Sequence, residues 1–317
     1  MAHLVETMAY NKAEAPWHGL GVPVDNNMTT AEMQKASGTD WEVAKRSTFF
    51  EATVDGKTKR FQTGQKALVR VTDHKVLSPN VGPDWEPIQN SEAFDFFKEY
   101  VEAGQMTMET AGSLREGQVV WVLAKVGKSF TILGKDTVES YLLFSNSHQY
   151  GRSAVADFTP IRVVCNNTLT LALNQKSKES VSISHRSKFD PSKVKELLGI
   201  ASQKLDTYHE AAEFLSSRKA NELDIVEYFK AIFPVHGADP KKEISKNAKI
   251  ALEVLPAQPG AEMGEGTWWQ AFNAVTYMAD HVLCREDDTR LYNAWFGGTK
   301  DTKVKALGKA LEMAKAS

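Results

Sequence analysis

The chain has 317 residues, of which 42% are hydrophobic and 25% charged. A chain of this length and composition can bury one large apolar core or two smaller ones, which excludes extensive disorder. A formal charge of -2 argues against a dedicated nucleic-acid coat but leaves room for a local basic face. The two cysteines, Cys165 and Cys284, stand far apart in unrelated contexts, which excludes a disulfide framework and a CxxC metal knuckle.

No apolar run approaches the roughly 20 residues of a membrane-spanning helix, so we expect no membrane partner. The amino terminus, MAHLVETMAYNKAEAPW, lacks the basic-then-apolar pattern of a secretory signal. We therefore expect a cytoplasmic protein in a reducing compartment.

The first predicted elements are the two strands of a β-hairpin. The segment from Trp41 to Thr72 is rich in β-branched and aromatic residues, and Asp55-Gly56 divides it into two runs. Because glycine tolerates the positive φ angle of a tight turn, this pair predicts that the two strands are antiparallel.

A helix and a series of further strands follow. Asn90 or Ser91 is expected to cap the helix, and Gly104 is placed to end it in a left-handed conformation. Strand-like runs then occur at 118–126, 129–134, 138–145 and 161–165, and the first three indicate an antiparallel meander. The last run leads into Asn166-Asn167-Thr168, which we expect to cap a helix.

Only helices are predicted after residue 190. Asp190-Pro191 combines a capping residue with proline at the first helical position. Apolar residues at helical spacing indicate further helices at 223–233, 241–255, 267–283 and 301–316. The predicted fold class is α+β, with a strand-rich domain at 1–190, made of an antiparallel sheet and covering helices, and an all-helical domain at 191–317 that packs against it.

The predicted hairpin is basic, since Lys and Arg outnumber Asp and Glu by about two to one between Trp41 and Asn80. The residues expected to contact nucleic-acid phosphates are Lys45, Arg46, Lys57, Lys59, Arg60, Lys66 and Arg70. Exposed aromatic side chains such as Trp41 or Phe49 would stack on bases. The alternative is a solvated sheet face without a ligand.

Polar side chains also cluster in SNSHQYGRSAVADFTPIR, at 145–162. Arginine forms bidentate contacts with phosphate, so His148, Arg152 and Arg162 are candidates for anion binding. Lys300 is a further candidate, because it precedes a helix that begins near Asp301, and helix starts attract anions. Ordinary turn chemistry and packing between the two domains are the alternatives.

Cys165 is a candidate nucleophile, because it stands at the start of a predicted helix, where free N–H groups lower a thiol pKa. Its base would be His148 or His185, if the sheet brings either within reach. We favour the interpretation that Cys165 is a small core residue, so no catalytic residue is assigned. HExxH, HxH, calcium-loop and GxSxG patterns are lacking, which predicts no metal and no cofactor.

Several motifs in order carry a resemblance that spans nearly the whole chain: WHGLG (17–21), WEVAKR (41–46), WEPIQN (85–90), ETAGSLREGQVVWVLAKV (109–126), YLLFSNSH (141–148), FTPIRVVCNNTLTLAL (158–173) and GTWWQAFNAVTYMADH (266–281). Together they resemble the phage/plasmid-like protein family, catalogued as domain-of-unknown-function family nine-three-two. The resemblance implies an origin in a bacteriophage, prophage or plasmid-like element, and therefore a host-cell cytoplasm. It implies no reaction and no catalytic residues.

Three functions stay open. The first, which the basic hairpin favours, is a protein of DNA metabolism or recombination that binds nucleic acid, including single strands, without catalysis. The second is an interaction protein that forms a homo-oligomer or binds a host protein. The third is an enzyme that acts on a nucleotide or an ester, centred on Cys165 or His148.

Overall fold

The computed structural model describes residues 4–12, 20–162, 167–168, 181–186, 188–235, 243–283 and 298–317. These residues form a large sheet, a small sheet and a set of helices that lie mostly in the carboxy-terminal part, which confirms the predicted α+β class. Among them, every helix is too short or too polar to cross a bilayer.

The strands are β1 (Val5–Asn11), β2 (Val22–Val24), β3 (Val43–Val54), β4 (Lys57–Arg70), β5 (Val76–Val81), β6 (Met106–Leu114), β7 (Val119–Ile132), β8 (Asp136–Ser147), β9 (Ala154–Arg162), β10 (Asn167–Thr168) and β11 (Val181–Ile183). The large sheet has the order β10-β9-β8-β7-β6-β1-β2, with β11 also paired to β9. Its pairs are antiparallel except β1-β2. Short turns join β6 to β9 in sequence, so these four strands form an antiparallel meander, whereas the predicted one comprised only the runs at 118–126, 129–134 and 138–145.

The small sheet has the order β3-β4-β5 and packs against one end of the large sheet. A separate apolar cluster holds it there, made of Trp41, Val43, Leu68, Leu77, Val81, Trp85 and Val120. Gln118, in the turn before β7, also donates a hydrogen bond of 3.1 Å from Nε2 to the carbonyl oxygen of Leu77. The base of the small sheet is therefore fixed, and its free end points away from the core.

The helices are α1 (Thr30–Ala36), α2 (Asn90–Glu102), α3 (Pro191–Ser217), α4 (Glu222–Ile232), α5 (Lys246–Ala257), α6 (Trp268–Tyr277) and α7 (Gly298–Ala316), with a π-helix at Met278–Val282 that continues α6. Local signals place several ends. Gly104 follows α2 with φ 68°, as predicted, and α3 begins at Pro191, as predicted. Gln89, not Asn90 or Ser91, is the residue that precedes α2 as its cap.

Two strand predictions are corrected. The runs at 118–126 and 129–134 form the single strand β7, because a bulge at Gly127-Lys128 shifts the register against β8 without ending the strand. Asn167–Thr168 does not cap a helix but forms β10, which pairs with Arg162 and Ile161 of β9. Pairing with a distant strand overrides the local capping signal there. The other residues of that predicted helix lie outside the described part of the chain.

One apolar cluster joins the large sheet to the helices. It includes Phe97 of α2, Phe144 of β8 and Trp268 of α6, each with 1% exposure or less. Polar contacts reinforce it, since the indole N–H of Trp269 donates to Asp136 Oδ2 at 2.8 Å. Buried side chains from residues 1–190 and from residues 191–317 belong to this one cluster. The division into two domains at these bounds stays a prediction.

A buried ion pair fixes α7 to the π-helix. Lys303 Nζ lies 2.8 Å from Asp280 Oδ1, and the two side chains are 0% and 7% exposed. Burial lowers the pKa of the Lys303 ammonium, and the carboxylate of Asp280 opposes this effect. An unpaired charge at this depth would be costly, so each residue depends on the other.

Candidate functional site

The free end of the β3-β4 hairpin projects from the core as a two-stranded ribbon, which we call the arm (residues 47–66). Every residue from Lys57 to Gln65 is exposed. The turn at its tip has positive φ angles at Asp55 (54°) and Gly56 (71°), as a type I′ turn requires. Since neither face of the arm is buried, its side chains are available to a ligand.

The arm contains a bulge close to its base. Thr48 stands opposite three residues of β4, and Gly64 in this stretch has φ 80°. The hydroxyls of Thr48 and Thr63 contact each other, and Thr48 also bonds to the carbonyl oxygen of Gln65 at 3.1 Å. The irregularity is therefore hydrogen-bonded, and it increases the twist of the arm.

One face of the arm, the lysine face, combines two lysines with two aromatic rings. The register pairs Phe50 with Phe61, Ala52 with Lys59 and Val54 with Lys57. Because directly paired residues point to the same side of a ribbon, these six side chains share one face. The rings of Phe50 and Phe61 stack with centroids 5.3 Å apart at 21°, although the side chains are 53% and 38% exposed.

The opposite face, the arginine face, has less net charge. Arg60 is paired with Glu51 in the register, and its guanidinium lies 4.2 Å from the centroid of the Phe49 ring. This cation–π contact engages the ring of Phe49, one of the two aromatic residues that were expected to stack on bases, although Phe49 is 43% exposed. The lysine face is therefore the more open surface for a polyanion.

The remaining predicted cations lie at the base and serve different roles. Lys45 forms an ion pair with Glu86 at 2.8 Å. Arg70 is 7% exposed and bonds to Glu6 (2.8 and 3.2 Å) and Asp73 (3.0 Å), so it is a buried structural residue. Trp41 is also buried, under the Arg70 guanidinium, and its expected exposure is wrong.

Lys66 at the end of the arm and Arg46 next to it lie on opposite faces, since Arg46 is paired with Ala67 and Lys66 with Ser47. Within the described residues, no carboxylate lies within ion-pair distance of Arg46, Lys57, Lys59, Arg60 or Lys66. With Glu51 and Asp55 as the only acidic residues at 46–66, this stretch has a formal charge of +3, against -2 for the whole chain. Five of the seven predicted cations thus lie on the arm or next to it, distributed over both of its faces.

His148, predicted to bind an anion, lies instead in a buried polar cluster. Its Nε2 is 3.0 Å from Asn90 Oδ1, and both residues have 0% exposure. The two amide hydrogens of Asn90 are donated to the carbonyls of Thr39 and Trp41, at 3.1 Å each. Asn90 Oδ1 must therefore accept, which places the imidazole proton of His148 on Nε2 and leaves Nδ1 as a bare, buried acceptor.

Two neighbours of His148 complete this cluster, which we call the polar clamp (Asn146, His148 and His185). Asn146 Nδ2 donates to the carbonyl of Ile88 at 2.8 Å, and His185 Nδ1 bonds to the carbonyl of Glu86 at 3.1 Å. The ring of His185 also stacks on Trp85 with centroids 4.0 Å apart. The three side chains thereby hold the segment at 85–90 against the end of β8.

The clamp is neutral at neutral pH. Burial, and to a lesser degree the nearby charge of His185, lowers the pKa of His148 to about 3. Burial also lowers the pKa of His185, although hydrogen bonds to the backbone of Glu86 and Ser147 oppose this. A buried neutral imidazole is not placed to meet an anion at the surface, so His148 takes no part in the proposals below.

The other described anion candidates, Arg152 and Lys300, lie in different elements. Arg152 is exposed in the turn between β8 and β9, whereas Lys300 lies 3.4 Å from Asp157 Oδ2 at the start of α7. Cys165 and the side chain of Arg162 lie outside the described residues. Within the described part of the chain, no group of three or more His, Cys, Asp or Glu side chains has a metal-binding arrangement.

Sequence reasoning named the cations of the arm but missed its most exposed aromatic pair, Phe50 and Phe61. The signal was present, because an Asp55-Gly56 turn of two residues sets the register and so pairs Phe50 with Phe61. The polar stretch at 145–162 already grouped Ser145 with Arg152, and in the structure both line a small pocket together with Ser153.

The model of one protein family, described as Domain of unknown function (DUF932), matches residues 79–296. No curated protein and no solved structure matches the chain significantly. The matched range contains the polar clamp, and it begins after the arm has ended.

Proposed function

This chain belongs to the family described as Domain of unknown function (DUF932), and because that description assigns no activity, we propose from the geometry that the arm binds nucleic acid, single strands in particular, without catalysis. The observation that carries the proposal is the lysine face, where Lys57 and Lys59 stand beside the exposed stack of Phe50 and Phe61. A single-strand binding surface combines cations that contact phosphates with aromatic rings that stack on bases.

The two parts make different contributions to affinity. Each base stacked on an aromatic side chain contributes about 1–3 kcal/mol, and this contribution depends little on salt. Each phosphate contact with a single strand adds about -0.7 to the slope of log K against log salt. Two contacts, from Lys57 and Lys59 of the lysine face, would give a slope of about -1.4, and contacts from all five cations on both faces (Arg46, Lys57, Lys59, Arg60 and Lys66) would give at most about -3.5. Lys45 and Arg70 are not counted because both are ion-paired.

The experiment is a fluorescence anisotropy titration of a labelled, mixed-sequence single-stranded oligonucleotide at several salt concentrations. Lys57→Gln with Lys59→Gln should weaken binding at low salt and reduce the slope by about 1.4. The matched control is Lys246→Gln with Lys249→Gln, which removes the same charge from exposed positions on α5. If the two double variants lose affinity equally, only nonspecific charge attraction is left and the proposal fails.

The aromatic part has its own variant. Phe50→Ala should weaken binding by roughly 5-fold to 150-fold with an unchanged salt slope, as loss of one stacked base predicts. Leu223→Ala is the control, because Leu223 is 78% exposed on α4, far from the arm in sequence. Equal affinities of the Phe50→Ala variant and the unchanged protein would exclude stacking on this ring.

A second function is favoured by the same exposed rings. Phe49 and Phe50 are 43% and 53% exposed, and such side chains also serve assembly with a second copy or with a host protein. Light scattering distinguishes the two functions. An oligomer that Phe50→Ala dissociates, in a protein that binds no oligonucleotide, would support assembly in place of nucleic-acid binding.

The resemblance of the ordered motifs to a phage/plasmid-like family supports a further part of the proposal. We place the gene in a bacteriophage, prophage or plasmid-like element and the protein in the cytoplasm of the host, where it would act in DNA metabolism such as recombination. Genes of phage or plasmid replication beside this gene would support the assignment, and an invariant chromosomal neighbourhood of housekeeping genes would contradict it.

A further inference from the structure

The outer edge of strand β3 is open along the arm. The small sheet has the order β3-β4-β5, so among the described strands β3 pairs with β4 alone. The bulge at Thr48 confines the regular part of this edge in the arm to residues 49–54, which are exposed or half-buried. An open edge of this length, about 20 Å, can accept a further strand.

The register decides which backbone groups this edge presents. The turn at the tip of the arm has two residues, so Val54 and Lys57 on either side of it form a hydrogen-bonded pair. Hydrogen-bonded and non-hydrogen-bonded pairs alternate along an antiparallel ribbon. The backbone N–H and C=O groups of Phe49, Glu51 and Thr53 therefore point away from β4, toward solvent.

The two edges of the arm differ in composition. Proteins protect open strand edges with lysine and proline. The β4 edge has such protection, because Lys57, Lys59 and Arg60 belong to it, whereas the segment at 49–54 reads FFEATV and contains no lysine, arginine or proline. A short segment of high β propensity and low charge is typical of a strand that pairs with another chain. The β3 edge is therefore the one at which the arm can associate.

Charge selects a second copy of the same edge as the occupant. Two β3 edges that pair antiparallel give the strand order β4-β3-β3-β4, with the cations on the two outer strands about 14 Å apart. This distance exceeds the Debye length of about 8 Å at physiological salt, so the two arms repel each other only weakly. Pairing through the β4 edges would bring the same cations to about 5 Å, where like charges destabilise a sheet.

The symmetry of such a dimer joins the two lysine faces. A two-fold axis that relates antiparallel neighbours is perpendicular to the sheet, so both copies present the same face on the same side. The register that uses every outward backbone group places Phe49 of each copy opposite Thr53 of the other. The two Glu51 side chains then adjoin at the axis, each beside the Arg60 of its own arm, which offsets their repulsion.

We propose that two copies of this chain pair through the β3 edges of their arms and form one four-stranded platform. The use of the platform rests on the proposed function. Its surface carries Lys57, Lys59 and the stack of Phe50 on Phe61 from both copies, so a single strand that crosses it meets two sets of cations and rings. Because the arms are antiparallel, the two cores lie at opposite ends of the platform and do not collide.

The pairing is tested without nucleic acid, by sedimentation equilibrium of the full-length protein over a range of concentrations. A monomer–dimer equilibrium is expected. Thr53→Pro should raise the dimer dissociation constant by roughly 5-fold to 150-fold, because it removes one intermolecular hydrogen bond from each copy. The bonds between β3 and β4 stay intact in this variant, since the N–H of Thr53 points outward.

The matched control is Thr58→Pro. Thr58 is paired directly with Thr53, and its N–H points outward from the opposite edge of the arm, on β4. This variant should leave the dimer dissociation constant unchanged. A protein that stays monomeric at every concentration would overturn the proposal, and so would equal losses in the two proline variants.

Amide hydrogen exchange gives a second readout that needs no variant. Exchange at Phe49, Glu51 and Thr53 should slow as the protein concentration rises, whereas exchange at Thr58 and Arg60 should not. Equal exchange on both edges at every concentration would contradict pairing through β3. A monomer that binds the oligonucleotide would remove the pairing alone, and a dimer that binds none would remove the proposed function alone.

Discussion

Replacement of His148 by glutamine should remove much of the acid sensitivity of this protein. The glutamine amide can take the place of the imidazole Nε2–H and donate to Asn90 Oδ1, which accepts because the Asn90 amide hydrogens are used by Thr39 and Trp41. What is lost is the bare Nδ1 atom, which has no partner and would become a buried cation when it is protonated.

The magnitude follows from the shifted pKa. Burial lowers the pKa of His148 from 6.5 to about 3, so the unfolded chain binds this proton more readily than the native protein does. The contribution of neutral His148 to the free energy of unfolding is therefore fully present above about pH 6.5, and it is lost as the pH is lowered toward 3. The loss is about 1.4 kcal/mol per pH unit once titration is under way, which amounts to about 2 kcal/mol at pH 5 and to about 4 kcal/mol at pH 3.

Urea unfolding followed by tryptophan fluorescence, between about pH 7.5 and pH 5, measures this effect, because few carboxylates titrate in that window. The free energy of unfolding should fall by about 2 kcal/mol less in His148→Gln than in the unchanged protein. The variant can be less stable at every pH without affecting this difference of slopes. His74→Asn is the control, since His74 is exposed with φ 60°, a conformation that Asn tolerates.

Equal pH dependence in the unchanged protein and in His148→Gln would refute the reasoning, because it would show that the native state accepts a proton at this site as easily as the unfolded chain. An effect of the same size in His74→Asn would also refute it. Either result would mean that the acid sensitivity arises elsewhere.

Three stability predictions concern the rest of the fold, and urea unfolding at neutral pH measures each. Lys303→Met should cost about 3–5 kcal/mol because Asp280 is left buried without a partner, and Asp280→Leu added to it should restore part of the loss; no loss in the single variant would contradict the burial of the pair. Gly112→Ala should destabilise by about 1–3 kcal/mol or more, since a Cβ there would lie 2.3 Å from the carbonyl oxygen of Thr7. Gly308→Ala should stabilise by about 1 kcal/mol, because the position is exposed within α7 and a Cβ meets no atom within 4 Å; a loss would show that the helix is distorted there.

Local signals in the sequence predicted a large part of the fold. The Asp55-Gly56 turn, the end of α2 at Gly104 and the start of α3 at Pro191 depend on residues within a few positions of one another, and the structure has all three. The predictions failed where a distant partner decides, as at β10, whose pairing with β9 replaces the expected helix cap at Asn167–Thr168.

The candidate site shows the same difference between features set by local sequence and features set by distant partners. All seven cations of the hairpin could be named from the sequence, but their environments could not. Lys45 and Arg70 are ion-paired with Glu86 and Glu6, which are 41 and 64 positions away. His148 was expected to bind an anion because it stands in a polar stretch, yet it is buried against Asn90, which lies 58 positions earlier. A side chain can be buried or paired by a carboxylate or amide that is distant in sequence, and the local sequence does not indicate this.

What the sequence determined by itself is the α+β class, the basic hairpin and its turn, since periodicity, turn residues and charge are properties of short segments. Only the tertiary structure decided that the lysines and phenylalanines of the arm share an exposed face, that His148 is buried in the polar clamp, and that Ser145 and Arg152 meet in one pocket. The physical reason is that strand register and the packing of one sheet on another are set by the whole chain, because burial and pairing are satisfied by residues that are far apart in sequence.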